Sequence, residues 1–272
     1  MTRLTDDIVK DIIGSLDNTS DTLKSQTGMD IMELSCKAIG LEREMLDLDG
    51  LIAGVVPVTS GLGIIKKFSE SVAEIVRKLG MDAFVTEGAD VNGMAEALSA
   101  GAEMVFMADD IKFLALNTKN GKHANNSFCT AAGYTTALNG AAKGLSGKDV
   151  LVLGAGRVGS IASELMVGMG ANVTVYDINE KKADDLSNHV KIKVAPDVKS
   201  ALSSHCLVFN AAPAAIDGRN VKEGTIFSSP GIPYPFDEEG LRKAKMIIHD
   251  PLDIGASVMA IQCASFSRLR TP

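Results

Sequence analysis

The sequence predicts an α/β protein in two parts, each a sheet covered by helices, with a helical arm at the N-terminus. Three observations predict it. Residues 150–177, VLVLGAGRVGSIASELMVGMGANVTVYD, read as apolar strand, glycine turn, helix and second strand. Residues 51–107 alternate short apolar runs with stretches of helical period. The chain has 272 residues, 46% of them apolar, enough to bury the cores of two modest domains.

In chain order, Leu4, Ile8, Ile12, Ile13 and Leu16 keep helical spacing behind Thr5, Asp6 and Asp7, which suit a cap and first turn. A polar stretch rich in Ser and Thr, residues 17–28, separates this short helix from a second over residues 30–39. Such an arm is a lid, a dimer contact or a cover for a sheet. Residues 51–58 are a strand interrupted by Gly54, followed by the turn Thr59, Ser60, Gly61, Leu62, Gly63 and a helix over residues 64–79. Residues 83–85 and 103–107 are further strands, with a helix over 91–100 between them. This βαβαβ pattern implies a small parallel sheet with right-handed crossovers. Ligands of such a sheet gather at the carboxyl ends of its strands, where Thr59, Ser60 and the pair Asp109–Asp110 lie. A polar loop, 117–127, and a small-residue helix, 128–142, lead to a domain boundary within residues 143–148. Residues 1–145 are then the arm and substrate-binding domain, and residues 146–272 the second domain.

In the second domain each glycine of the turn has its own task. Gly154 permits the bend, Gly156 leaves room for a diphosphate to approach the backbone, and Gly159 lets the helix pack on the strand. The helix opens with Arg157 and Val158, whose end of the helix dipole favours an anion. Asp177 closes the second strand, 23 residues beyond Gly154, where an acid accepts hydrogen bonds from a ribose diol. A glycine turn made only for packing is the alternative, but the strand, helix, second strand and terminal acid are all present. The domain is Rossmann-type. Ile178 and Asn179 follow Asp177 with no Arg to neutralise a 2′-phosphate, so NAD is expected rather than NADP. Helices at 181–187, 198–203 and 238–245 alternate with strands at 192–194, 207–210, 225–228 and 246–249. The turn SSPGIPYP, residues 228–235, holds three of the eight prolines, and a loop stiffened at Pro230 suits the nicotinamide, or is a plain surface turn. Residues 254–266 are apolar with a helical period and are expected to return to the N-terminal half.

The formal charge of −7 comes without runs of one sign, which argues against nucleic acid and anionic membranes and leaves small molecules as partners. The four cysteines and four histidines form no CxxC, HxxxH or mixed cluster, and His205–Cys206 fits a buried strand better than ligation. No metal is expected. With no basic-then-apolar leader and no apolar run of membrane-spanning length, the cytoplasm is the default compartment.

Several motifs, in order, resemble the pyrrolysine synthase family. They are VPVTSGLGII at 56–65 with FSES at 68–71, MADD at 107–110, NGKHANN at 120–126, the glycine turn, SSPGIP at 228–233 and DIGASVM at 253–259. The glycine turn is common to many proteins; VPVTSG together with MADD is specific. The resemblance spans nearly the whole chain and is loosest over the first 45 residues.

The resemblance implies an NAD-dependent oxidation of a lysine whose side-chain nitrogen is acylated by 3-methyl-D-ornithine. Hydride leaves the carbon bearing the terminal amine, and an imine or aldehyde results. The free α-amine of the ornithine unit then closes the pyrroline ring. A homodimer is likewise implied. The zwitterionic lysine end must be anchored by donors and an acid. Thr59, Ser60 and Gly61, read as opening a helix, fit the carboxylate, with a plain N-cap as the alternative. Asn126, which ends NGKHANN, joins them as a substrate ligand. Asp109, at the end of an apolar strand, is the candidate catalytic carboxylate for the amine and its proton, with Asp110 its rival. Another NAD-dependent amino-acid dehydrogenase or imine reductase, with Lys119 or Lys122 as a catalytic lysine, and a non-catalytic NAD-binding sensor are the competing readings.

Overall fold

Short apolar runs bounded by turn residues become strands in this chain, and stretches with apolar residues at every third or fourth position become helices. The computed structural model describes residues 4–270, and they divide into two units.

The first unit comprises residues 4–21, Asp30–Thr130 and residues 251–270. Its elements begin with α1 (Asp6–Val9), α2 (Ile12–Thr27), which from Thr22 belongs to the second unit, and α3 (Ile31–Ala38). They continue with β1 (Ile52–Val56), α4 (Phe68–Lys78), β2 (Asp82–Val85), α5 (Asp90–Ser99), β3 (Met104–Ala108), β4 (Phe113–Asn117), β5 (His123–Asn125) and the start of α6 (Asn126–Ala141), which from Ala131 belongs to the second unit. The polar stretch after residue 17 is helical, contrary to expectation. Leu16 and Leu23 in α2 are buried, and that burial outweighs the weak helix propensity of its Ser, Thr and Asn residues. In α3, Asp30 is the N-cap, accepting from Glu33 N at 2.8 Å.

The sheet order is β2-β1-β3-β4-β5. Strands β1, β2 and β3 pair in parallel, as the βαβαβ pattern predicts. Strands β4 and β5 add an antiparallel edge to what was expected to be a wholly parallel sheet. The reason is the short link 109–112, which allows only a hairpin. Strand β1 runs unbroken through Gly54, because a Cβ there would come within 2.8 Å of Ala97 Cβ; the glycine lets α5 lie against the strand. Helix α4 starts at Phe68 rather than near residue 64.

The second unit comprises Thr22–Met29 and Ala131–Asp250. Beyond α6 it contains β6 (Asp149–Leu153), α7 (Arg157–Gly168), β7 (Asn172–Tyr176), α8 (Glu180–Ser187), β8 (Lys193–Val194) and α9 (Val198–Ser204). After these come β9 (Leu207–Asn210), β10 (Thr225–Ser228), α10 (Glu238–Lys243) and β11 (Ala244–Ile248). All pairs are parallel in the order β11-β10-β9-β6-β7-β8, the doubly wound order whose direction reverses beside β6. Leu151, Leu153, Leu202, Val208 and Phe227 form a core on one face of this sheet.

The last helix, α11 (Asp253–Ser265), belongs to the first unit and packs on α3 and α4. Asn117 Nδ2 donates to Cys263 O at 3.0 Å and to Ser267 Oγ at 2.7 Å, and Arg268 pairs with Glu103, so the sheet and the chain's last described segment are tied together. Among the described residues no helix is long and apolar enough to cross a membrane.

Candidate active site

In the second unit the chain leaves β6 and turns through Gly154 at φ +94°, a left-handed conformation that suits glycine. A Cβ there would also stand 3.2 Å from Ala212 N, just past β9. Gly159, in the first turn of α7, lies on the Gly154 carbonyl. A Cβ at 159 would overlap that oxygen and approach its carbon to 3.0 Å. Gly156 differs from both: it is exposed, and a Cβ would find nothing within 4 Å. The outer glycines therefore serve the chain itself, while the middle one faces open space at the positive end of α7. N–H groups of a first helical turn facing open space suit an anion such as a diphosphate. Arg157 is exposed and Val158 half-buried at the same helix end.

Asp177 follows β7 and reaches back over this turn. Its Oδ2 accepts from Ala155 N at 2.7 Å and its Oδ1 from Asn179 N at 2.8 Å. The next side chain, Ile178, is 91% exposed. The chain departing from β10 folds over the ends of the neighbouring strands. Gly231 N donates to Asn210 O at 3.0 Å, Asn210 Nδ2 donates to Ser229 Oγ at 3.1 Å, and a Cβ at Gly231 would meet Ala212 O at 2.5 Å. His249 Nδ1 lies 2.7 Å from Ser229 O, and because a carbonyl only accepts, Nδ1 carries the hydrogen. Tyr234 packs edge-on to the His249 ring at 4.9 Å. Pro230 thus sits, half-buried, on a loop held against the carboxyl ends of β9, β10 and β11.

In the first unit, residues 59–63 do not open a helix, so the helix-dipole argument for Thr59, Ser60 and Gly61 fails. Two carboxylates hold this loop in a non-helical form. Asp90 accepts from Thr59 N at 2.9 Å and from Thr59 Oγ1, and Asp110 Oδ2 accepts from Leu62 N at 2.7 Å. Gly61, at φ +72°, lies so close to Asp110 that a Cβ would overlap its carboxylate. Ser60 and Gly61 are exposed, and their N–H groups donate to no other group among the described residues. Two successive donors and the Ser60 hydroxyl remain, which is enough to bind a carboxylate without a helix.

Asp109 lies in the β3–β4 turn, one residue past the strand. Its Oδ1 accepts from Lys112 N and Ile111 N, both at 2.7 Å, and these bonds hold its carboxyl below the usual carboxylate range. Asn126 opens α6 and accepts from Thr130 Oγ1 at 3.2 Å. Gly255 of α11 lies against both, since a Cβ would come within 2.7 Å of Thr130 Oγ1 and 3.2 Å of Asn126 Oδ1.

The family profile described as "Pyrrolysine biosynthesis protein PylD, N-terminal domain" matches residues 8–124. The pyrrolysine synthase of Methanosarcina barkeri (strain Fusaro / DSM 804) is 37% identical over 262 residues, 95% of this chain and 97% of that protein. The chain belongs to the pyrrolysine synthase family. A second family member, from Methanosarcina acetivorans, is 35% identical over 266 residues, 95% of this chain and 98% of its own length. Residues 98–218 also match the profile "Alanine dehydrogenase/PNT, C-terminal domain". Among solved structures, shikimate dehydrogenase from Aquifex aeolicus has a TM-score of 0.56 at 15% identity, covering 83% of this chain and 96% of that one. Quinate dehydrogenase from Corynebacterium glutamicum, in complex with NAD, has a TM-score of 0.56 at 12% identity, covering 81% and 95%. Both likenesses speak to the fold.

Within this member of the pyrrolysine synthase family, Gly154, Gly156, Arg157, Val158, Gly159 and Asp177 gather at one turn. Thr59, Ser60, Gly61 and Asp110 gather at another, while Asp109 turns its Oδ1 into its own hairpin. Asp90, Asn210 and Gly231 went unnoticed in the sequence. Asn210 ends an otherwise apolar strand, LVFN, and that was a readable signal. Asp90 and Gly231 act through partners distant in sequence and left none.

Proposed function

We propose that this chain is an NAD-dependent pyrrolysine synthase. It oxidises the terminal amine of Nε-(3R)-3-methyl-D-ornithyl-L-lysine, after which the product cyclises to the pyrroline ring of L-pyrrolysine. The kinship over nearly the whole chain with pyrrolysine synthases carries this reading. The second unit binds a nicotinamide dinucleotide, with Gly156 and the start of α7 taking the diphosphate, Asp177 the ribose diol, and Pro230 and its loop the nicotinamide end. NAD is favoured over NADP because the Asp177 carboxylate would repel a 2′-phosphate and Ile178 and Asn179 carry no balancing charge. When bound, the nicotinamide takes the hydride from the carbon that carries the terminal amine.

The first unit binds the substrate. Ser60 and Gly61 offer N–H and hydroxyl donors to the lysine carboxylate, and Asn126, at the start of α6, is a further substrate ligand. Asp109 is the carboxylate for the reacting amine. A carboxyl held this low is a poor proton acceptor at neutral pH but a constant negative charge, so Asp109 attracts the ammonium and stabilises the iminium as it forms. The amine proton passes to water. The α-amine of the ornithine unit then adds to the iminium carbon, ammonia departs, and the new C=N bond closes the ring. Purified protein incubated with the synthetic isopeptide and NAD is expected to form NADH and a product lighter than the substrate by ammonia and two hydrogens. NADH with an uncyclised product would indicate a simple amine dehydrogenase, and dinucleotide binding without NADH a sensor.

A further inference from the structure

We propose that Asp90 is a positioning residue that, by taking both donors of Thr59, turns Thr59 into an acceptor for the α-ammonium at the substrate's amino-acid end. The inference rests on the substrate loop assigned above and supplies the acid that a zwitterion requires.

The geometry is specific. Thr59 gives its backbone N–H to Asp90 Oδ1 at 2.9 Å and its hydroxyl hydrogen to Asp90 Oδ2. Neither donor is then available to a substrate carboxylate. What Thr59 presents outward is the remaining lone-pair capacity of Oγ1, with a carboxylate charge directly behind it. A hydroxyl so polarised accepts from a cation. One residue further on, the Ser60 and Gly61 N–H groups are still donors. Acceptor and donors side by side match an amino acid's ammonium and carboxylate.

Asp90 is itself held for this task. Its N–H donates to Pro57 O at 2.9 Å, so it grips the chain on both sides of Val58. Its backbone is left-handed, at φ +52°, a conformation uncommon for a side chain other than glycine, asparagine or aspartate. Glu96 fixes the preceding turn by accepting from Glu87 N at 3.0 Å and Gly88 N at 2.9 Å. Helix α5 does not account for the arrangement, because its N-cap is Ala89 and no side chain caps it. The Thr59 hydroxyl and N–H together lower the Asp90 carboxyl, which keeps it ionised near neutrality.

Asp90→Asn makes the decisive test, since asparagine tolerates the same backbone. Its Oδ1 can still accept from Thr59 N–H, but its Nδ2 must donate to Thr59 Oγ1, which reverses the hydroxyl and removes the charge. With isopeptide and NAD, KM for the isopeptide is expected to rise about tenfold, the size of a lost hydrogen bond to a charged group. kcat and the KM for NAD should stay within about twofold, since the reacting carbon and the dinucleotide are untouched. An isopeptide lacking the lysine α-amine should show the same KM with wild type and variant. Asp90→Gly removes the clamp while relieving the left-handed backbone, which offsets part of the stability lost with the two hydrogen bonds; it should still fold and raise KM. Unchanged KM in both variants, or an equal rise with the deaminated isopeptide, overturns the inference. A wild type that forms no NADH overturns the substrate assignment first and the inference with it.

Discussion

The middle and last glycines of the turn separate binding from folding. Gly156 has an ordinary backbone, φ −78° and ψ −173°, and open space where a Cβ would stand. Replacing it by Ala costs less than about 1 kcal/mol as a helix cap and regains about 0.4–1 kcal/mol through a less flexible unfolded chain. Gly156→Ala should therefore melt within about 2 °C of wild type. Its methyl, however, occupies the space assigned to the diphosphate, and forced contact of this kind costs about 1–3 kcal/mol, or roughly five- to 150-fold in affinity. Gly159→Ala behaves in the opposite way. The new Cβ overlaps the Gly154 oxygen and stands 3.0 Å from its carbon, and these are backbone atoms that cannot swing aside. The cost of about 1–3 kcal/mol or more then falls on the fold, and at roughly 2–4 °C per kcal/mol the melting temperature should drop by several degrees. Thermal melts without dinucleotide and NADH fluorescence titrations on both variants provide the comparison. If Gly156→Ala bound NADH as wild type does, or melted as low as Gly159→Ala, the division of labour among these glycines would be refuted.

Asp177→Ala should weaken NAD far more than NADP in parallel titrations, and equal affinities in the wild type would sink the selectivity argument. Ser60→Ala should raise the dissociation constant of a non-reactive isopeptide analogue about tenfold with NAD affinity unchanged, as calorimetry can decide. Asp109→Asn keeps the turn, because asparagine accepts the same backbone bonds, but removes the charge; turnover should fall about a hundredfold with the melt unchanged. The pH sign follows from the lowered Asp109 carboxyl: its contribution is present above the usual carboxylate range and is lost only as pH falls through its depressed value. A kcat inflection between about pH 5 and 7 that vanished in Asp109→Asn would contradict this.

The dinucleotide turn was legible because its signals are local. Gly154 and Gly159 meet atoms of the turn itself and of the segment just past β9, Gly156 meets none, and the apolar runs at 150–153 and 207–209 carry their own β signature. The turn at 59–63 was legible as the end of an apolar strand and misread in form. Its Ser, Thr and Gly residues look like a helix start, but Asp90 and Asp110, 31 and 48 residues from their partners, hold it open. Nothing in a local window reports such bonds. Strand β5 escaped for a related reason, since HAN has no propensity of its own and becomes a strand only by pairing with β4. The helical character of α2 beyond residue 17 likewise comes from burial, which spacing alone understated.

The first unit is completed by a segment that follows the whole of the second. Its helix α11 and the Arg268–Glu103 pair join residues separated by about 120 intervening positions of another unit. On a ribosome adding about 5–20 residues per second, β1 to β5 wait on the order of 10 s for the helix that packs against α3 and α4. During that interval the faces of α3 and α4 that α11 covers stand open, while the second unit has all its strands and can close first. The first unit therefore completes only after the whole of the second has been synthesised.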